Sequence, residues 1–136
     1  MSAAVLLIGL GQIGMGYDLH LDSHEHVYSH ARAFSQHPGF ELIAGVDPDP
    51  KRRQVFEQVY GRPSYQDVDS AIGHHRTDVI AIASPTRSHG DILRGVLERS
   101  EPRVILCEKP LAHDVKEARA MVEACAAKDA RLYVNY

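Results

Sequence analysis

The string Gly9-Leu10-Gly11-Gln12-Ile13-Gly14 follows without a gap on the continuous apolar run Val5-Leu6-Leu7-Ile8. An unbroken apolar run closed by glycine marks a strand buried on both faces. Glycines at this spacing suit a tight turn out of such a strand: the first permits the turn, the second lets another group approach the backbone, and the third lets a helix pack closely. Together they commit the N-terminal segment to strand, turn and helix, which few fold classes accommodate.

The rest of the chain repeats the theme. Further apolar runs occur at 41–47, 78–83, 104–107 and 132–134, and Pro63-Ser64-Tyr65 reads as a short extra strand. Helix signals lie between them. Asp49-Pro50 reads as a cap followed by proline at the first helical position, with Gly61 closing that segment. Gly90 to Arg99 carries Ile92, Leu93, Val96 and Leu97 on one face, and Asp114 with Glu117 has capping-box spacing. The helix that Asp114 opens is expected to bury Val115, Ala118, Met121, Val122 and Cys125. Buried strands alternating with helices predict an α/β fold, a doubly wound parallel sheet with right-handed crossovers. Ligands of such sheets bind at the carboxyl ends of the strands.

Composition narrows the function classes. At 136 residues, 44% hydrophobic, the chain fits one domain with one sheet, and a two-domain enzyme does not fit. A net charge of −3 with no dominant basic face argues against a nucleic-acid binder. Cys107 and Cys125 are too few for a disulfide framework, which points to a reducing, cytoplasmic setting. The apolar opening Ala3 to Leu10 is too short for a membrane span and lacks the flanks of a signal peptide, so no membrane partner is expected.

Four motifs carry chemistry. After the glycine turn, the helix N-terminus offers free N–H groups and a positive dipole end to a dinucleotide pyrophosphate, although a purely structural turn has the same glycines. Asp47 ends the second strand, where a carboxylate accepts both hydroxyls of an adenosine ribose; a cap in Asp47-Pro48-Asp49-Pro50 is the other reading, and Asp49 already fills it. A 2′-phosphate beside Asp47 is repelled, so NAD is expected in preference to NADP. Arg52 and Arg53 temper that preference unless they form a solvated helix face. Ser84-Pro85-Thr86 follows the third buried strand and serves either to cap the next helix or to bond a ribose. His89, three residues on, is either a packed helix residue or a ligand contact. Glu108-Lys109-Pro110 follows the fourth strand, where a buried charged pair is costly unless it serves a site. A lysine there bonds a substrate hydroxyl and exchanges a proton with it; a surface ion pair is the alternative. His20, His24, His26 and His30 fall among Asp18, Asp22 and Glu25, but their spacing matches no metal motif and no metal is expected.

In this order the motifs resemble the glucose–fructose oxidoreductase / inositol dehydrogenase / MocA family over essentially the whole chain. The residues that carry the resemblance are Gly9 to Gly14, His30-Ala31-Arg32-Ala33, Val46-Asp47, Ser84-Pro85-Thr86 with His89, and Glu108-Lys109-Pro110-Leu111-Ala112. The resemblance implies a Rossmann domain that binds NAD or NADP and an enzyme that passes hydride to or from a sugar, inositol or polyol. It implies that Lys109 is the active-site lysine, and that Gly9, Gly11, Gln12, Ile13, Gly14, Asp47, Ser84, Pro85, Thr86, His89, Glu108 and Lys109 face the cofactor.

The family's histidine usually comes three residues after the last fingerprint glycine. Here His30 comes sixteen after Gly14, a surplus of thirteen. Asp47 lies 33 residues beyond Gly14, and removing the same thirteen restores the expected spacing of about 20. A polar loop inserted at about 15–29 is therefore expected. Family members also carry a second, sheet-rich domain with further catalytic residues and the oligomer interface. The chain ends at Val134-Asn135-Tyr136, where the resemblance places the close of a Rossmann strand. It reads as a separately expressed or truncated cofactor domain, inactive alone and oligomeric only with that domain. A stand-alone NAD-binding sensor is the competing reading; it has no chemical use for Glu108-Lys109.

Overall fold

The computed structural model describes residues 1–136. Six strands, β1 (Ala3–Ile8), β2 (Phe40–Val46), β3 (Ser64–Tyr65), β4 (Val79–Ile82), β5 (Val104–Glu108) and β6 (Arg131–Asn135), form one sheet. Its order is β3-β2-β1-β4-β5-β6 and every pairing is parallel. The order reverses between β1 and β4, so the crevice above their carboxyl ends is the switch point where open α/β sheets take ligands.

Five helices connect the strands: α1 (His30–Gln36), α2 (Pro50–Tyr60), α3 (Val68–His74), α4 (His89–Arg99) and α5 (Val115–Ala127). Because strand side chains alternate faces, β1 builds two cores. Leu6 and Ile8 pack with Ala71 of α3, Leu93, Val96 and Leu97 of α4, and Met121 and Cys125 of α5. Val5 and Leu7 pack on the opposite face with Ala31 and Phe34 of α1 and Phe56 of α2. None of the helices is long and apolar enough to cross a membrane.

Two helices differ from the sequence reading. Helix α3 has no counterpart there: it spans seven residues, buries only Ala71, and is held at its start by Asp67, which accepts from the Ser70 N–H at 2.8 Å. In α5 the expected stripe is too wide. Met121 and Cys125 are buried, but Val115 and Val122 are 72% and 51% exposed, because they fall on the flank of the face turned to the sheet. The caps agree with the sequence reading: Asp49 accepts from Lys51 N, Asp114 accepts from Glu117 N, and Gly61 closes α2 at φ +63°.

The stretch after the glycine string is looped out of a helix. Met15 N donates to Gly11 O at 2.8 Å, which begins a turn. The ladder then resumes with His30 N on Ile13 O (3.0 Å) and Ala31 N on Gly14 O (2.8 Å). These are the i→i−4 bonds of an uninterrupted helix once thirteen residues are set aside. The excursion is anchored by Asp18, which is fully buried and accepts from Tyr28 N, Ser29 N and Ser29 Oγ at 2.7–2.8 Å. Arg32 stands 3.8 Å from the same carboxylate and donates to the carbonyls of Leu21 and His26. Burial alone would raise the Asp18 pKa; the Ser29 hydroxyl, the two N–H groups and Arg32 outweigh it and hold it below the ordinary range. No three His, Cys, Asp or Glu side chains converge as metal ligands.

Candidate functional site

The glycines of the turn answer to different constraints. Gly9 has φ +101°, and a Cβ there would lie 2.6 Å from the Ala83–Ser84 backbone. A Cβ on Gly14 would overlap the Gly9 carbonyl oxygen. Gly11 is otherwise: the nearest atom to a Cβ there is Arg52 Nη1 at 3.9 Å. The fold therefore requires Gly9 and Gly14 bare, whereas the space beside Gly11 is left open. The N–H groups of Gly11, Gln12, Ile13 and Gly14 have no acceptor within the chain. Four successive donors at the start of a helical turn form an anion-binding concavity.

A cavity of about 580 Å³ adjoins this turn, lined by Gly9, Gly11, Asp47, Pro48, Arg52, Ser84, Pro85, Arg87, Ser88 and Ile92 among others. It lies over the carboxyl ends of β1, β2 and β4, at the switch point, and is of a size for a small-molecule site. Asp47 is 4% exposed and braces the turn: Oδ2 accepts from Leu10 N and Oδ1 from Asp49 N, both at 2.9 Å. Arg52 Nη1 stands 3.7 Å from Oδ2. Arg53 is half-buried, and its Nη1 donates to the carbonyls of Asp47 and Pro48.

Across the cavity, Ser84 and Thr86 do not cap the following helix. Ser84 Oγ bonds Ser88 Oγ at 2.7 Å, Ser88 Oγ bonds Pro85 O, and Ser88, the residue before α4, makes no side-chain cap bond. Arg87 and Ser88 line the cavity although sequence reasoning passed over them; their place directly after Ser84-Pro85-Thr86 was the available signal.

His89 is 1% exposed, and its ring lies between two backbone carbonyls: Nε2 is 2.8 Å from Ser84 O and Nδ1 is 3.1 Å from Leu111 O. It is a packed residue that ties the loop after β4 to the loop after β5.

The Glu108-Lys109 pair separates. Lys109 is exposed, makes no ion pair and lies outside the main cavity. Glu108 is buried and its Oε1 accepts from His30 Nε2 at 2.7 Å and from Asn135 Nδ2 at 2.5 Å. Beneath it, burial and the Glu108 charge push the Cys107 thiol up to about 12, so that sulfur is no nucleophile. Gly9, Gly11, Asp47, Ser84 and Pro85 thus share one cavity, and Gln12 lines the adjoining cleft. Glu108 and Lys109 stand two strands further along the same edge from β1.

A family described as the oxidoreductase family with NAD-binding Rossmann fold matches residues 3–136. The chain belongs to the Gfo/Idh/MocA oxidoreductases. It is their NAD-binding domain, and the open space at Gly11 with its four free N–H groups fits the pyrophosphate of that cofactor.

Inositol 2-dehydrogenase of Arthrobacter sp. (strain FB24) is 34% identical over 121 residues, which is 88% of this chain and 32% of that protein. D-apiose dehydrogenase of Paraburkholderia graminis is 29% identical over 79% of this chain and 28% of its own length. Among solved structures, a protein of Bordetella bronchiseptica RB50 superposes with a TM-score of 0.83 at 28% identity, over 99% of this chain and 32% of the other. The WlbA dehydrogenase of Bordetella pertussis, in complex with NADH and UDP-GlcNAcA, shares the fold at 24% identity, with a TM-score of 0.82 over 99% of this chain and 37% of that one. The chain spans about a third of the length of the curated relatives it matches.

Proposed function

We propose that this chain is the cofactor domain of an oxidoreductase that moves hydride between NAD and a hydroxyl-bearing carbon of a sugar, inositol or related polyol. The division among the three glycines carries the reading: two are bare for the fold's sake, and the third keeps a space open beside four unpartnered donors. Backbone N–H groups of Gly11, Gln12, Ile13 and Gly14 hold the pyrophosphate, the helical turn behind them favouring its charge. Asp47 retains a lone pair on each oxygen after bracing the turn, and those pairs accept the ribose hydroxyls. Its charge disfavours a 2′-phosphate, which makes NAD the preferred form over NADP. Ser84 and Pro85 form the opposite wall, kept in place by His89 through the Ser84 carbonyl, while Thr86 lies outside the cavity lining.

Bound NAD supplies the acceptor or donor of hydride. The proton belongs to Lys109, whose unpaired ammonium donates to a substrate oxygen and exchanges a proton with it. The substrate class rests on relatives that are inositol and D-apiose dehydrogenases. The test is to follow NADH absorbance with NAD and a panel of inositols, aldoses and polyols, with and without a sheet-rich partner domain from a relative. Turnover is expected only with that domain and is expected to vanish in Lys109→Ala. Full turnover by Lys109→Ala would overturn the assignment of the lysine.

A further inference from the structure

Glu108 is a buried carboxylate without an arginine or lysine partner. Its side chain is 11% exposed, and the only groups bonded to it are the His30 ring and the Asn135 amide. Asn135 is its registered neighbour across β5 and β6, and His30 reaches it from the first residue of α1. Both donors are neutral when the imidazole is unprotonated, so the negative charge is held in place but not cancelled. Isolating a charge in this way is expensive unless something beyond the fold needs it.

Its place along the sheet edge indicates what. Asp47 follows β2, the glycine turn follows β1, and Glu108 ends β5, three strands from β2. At about 4.8 Å per strand the two carboxylates are separated by about 14 Å along the edge. A dinucleotide with its ribose at Asp47 and its pyrophosphate at Gly11 therefore directs its other end toward Glu108. In the oxidised cofactor that end is a cationic ring; in the reduced cofactor it is neutral.

We propose that Glu108 sets the preference of this site for the oxidised over the reduced cofactor, acting as a fixed negative charge oriented by His30 and Asn135. The inference rests on the functional reading above. A unit charge about 10 Å away, at an effective dielectric constant of about 20–40, changes the ratio of the two affinities by roughly 4- to 15-fold.

The experiment is calorimetric titration of the whole chain with NAD+ and with NADH at pH 8.5, above the ordinary imidazole range. Glu108→Gln is isosteric and keeps an oxygen that accepts from both donors, so it removes the charge and leaves the bracing. Glu108→Asp keeps the charge and shortens the arm. The native chain is expected to favour NAD+, Glu108→Gln to lose that preference by roughly 4- to 15-fold, and Glu108→Asp to retain it even where both affinities fall. An unchanged ratio in Glu108→Gln, or equal loss of preference in both variants, makes Glu108 purely structural and overturns the inference while the functional reading stands. If Glu108→Gln is unfolded by circular dichroism, Glu108→Ala replaces it as the charge-removing variant, with the same loss of preference expected and an unchanged ratio overturning the inference. Failure of the native chain to bind either form refutes the functional reading, and this inference with it.

Discussion

Replacing Asp18 tests whether the excursion 15–29 is held as the structure describes. The carboxylate is fully buried and satisfies Tyr28 N, Ser29 N and Ser29 Oγ, with Arg32 3.8 Å away. Asp18→Asn preserves the volume but replaces one acceptor oxygen with an NH2 group that faces donors. Two charge-assisted bonds at about 1.5–3 kcal/mol each are weakened or lost, so a destabilisation of about 3–5 kcal/mol is expected. For a chain of this length that is a fall in Tm of roughly 10–15 °C. The damage should be local first: amide exchange at His30 and Ala31, whose bonds to Ile13 and Gly14 carry the helix past the excursion, should accelerate before the β1 and β4 amides.

The pH dependence of the same pair has a definite sign. Native Asp18 holds its proton more weakly than the unfolded chain does, so its contribution is fully present above the ordinary carboxylate range near 3.9 and fades as pH falls through the lowered native value. The stability gap between native and Asp18→Asn protein should therefore shrink on acidification. A Tm within about 2 °C of native at pH 7, or a gap that widens in acid, would refute the anchoring role.

Other outcomes follow from the same contacts. Asp47→Ser should narrow the difference between NAD and NADP affinity measured by calorimetry, and should lower stability as well, since Leu10 N and Asp49 N lose their acceptor. His89→Leu should destabilise by about 1–3 kcal/mol in urea titration, because a buried backbone carbonyl, Ser84 O or Leu111 O, loses the ring N–H that donates to it. Alkylation of Cys107 by an uncharged maleimide should be slow in the folded chain and fast in urea, as burial and the raised thiol pKa require.

Much of the architecture was legible because it rests on local signals. The continuous apolar runs that became β1, β2, β4 and β5 reflect strands flanked on both sides, whereas β6 lies at the sheet edge and leaves Tyr133 52% exposed, so its apolar run overstated its burial. The caps at Asp49 and Asp114 bond to N–H groups two or three residues away, within reach of pattern reading. What escaped depends on tertiary placement. Helix α3 buries a single alanine and so has almost no periodic signal. The width of the α5 stripe depends on how the helix leans on the sheet, which left Val115 and Val122 outside.

At the site the same line divides what was seen from what was missed. Glycine spacing and an acid at a strand end are written locally. The pairing of Glu108 with His30 spans 78 residues, and His89 meets Leu111 across 22. The differing demands on Gly9, Gly11 and Gly14 were expected from their spacing, but the groups that impose them, the Ala83–Ser84 backbone and the Gly9 carbonyl, meet them only in the fold.

That difference also supplies the most direct test. Calorimetric titration of NAD into the native chain and into Gly11→Val should give measurable binding in the first and none in the second, with matching circular dichroism, since a Cβ at Gly11 meets no protein atom closer than 3.9 Å and that atom ends the flexible Arg52 side chain. Undiminished binding in a folded Gly11→Val chain would contradict the account, because the pyrophosphate could not then lie against that turn.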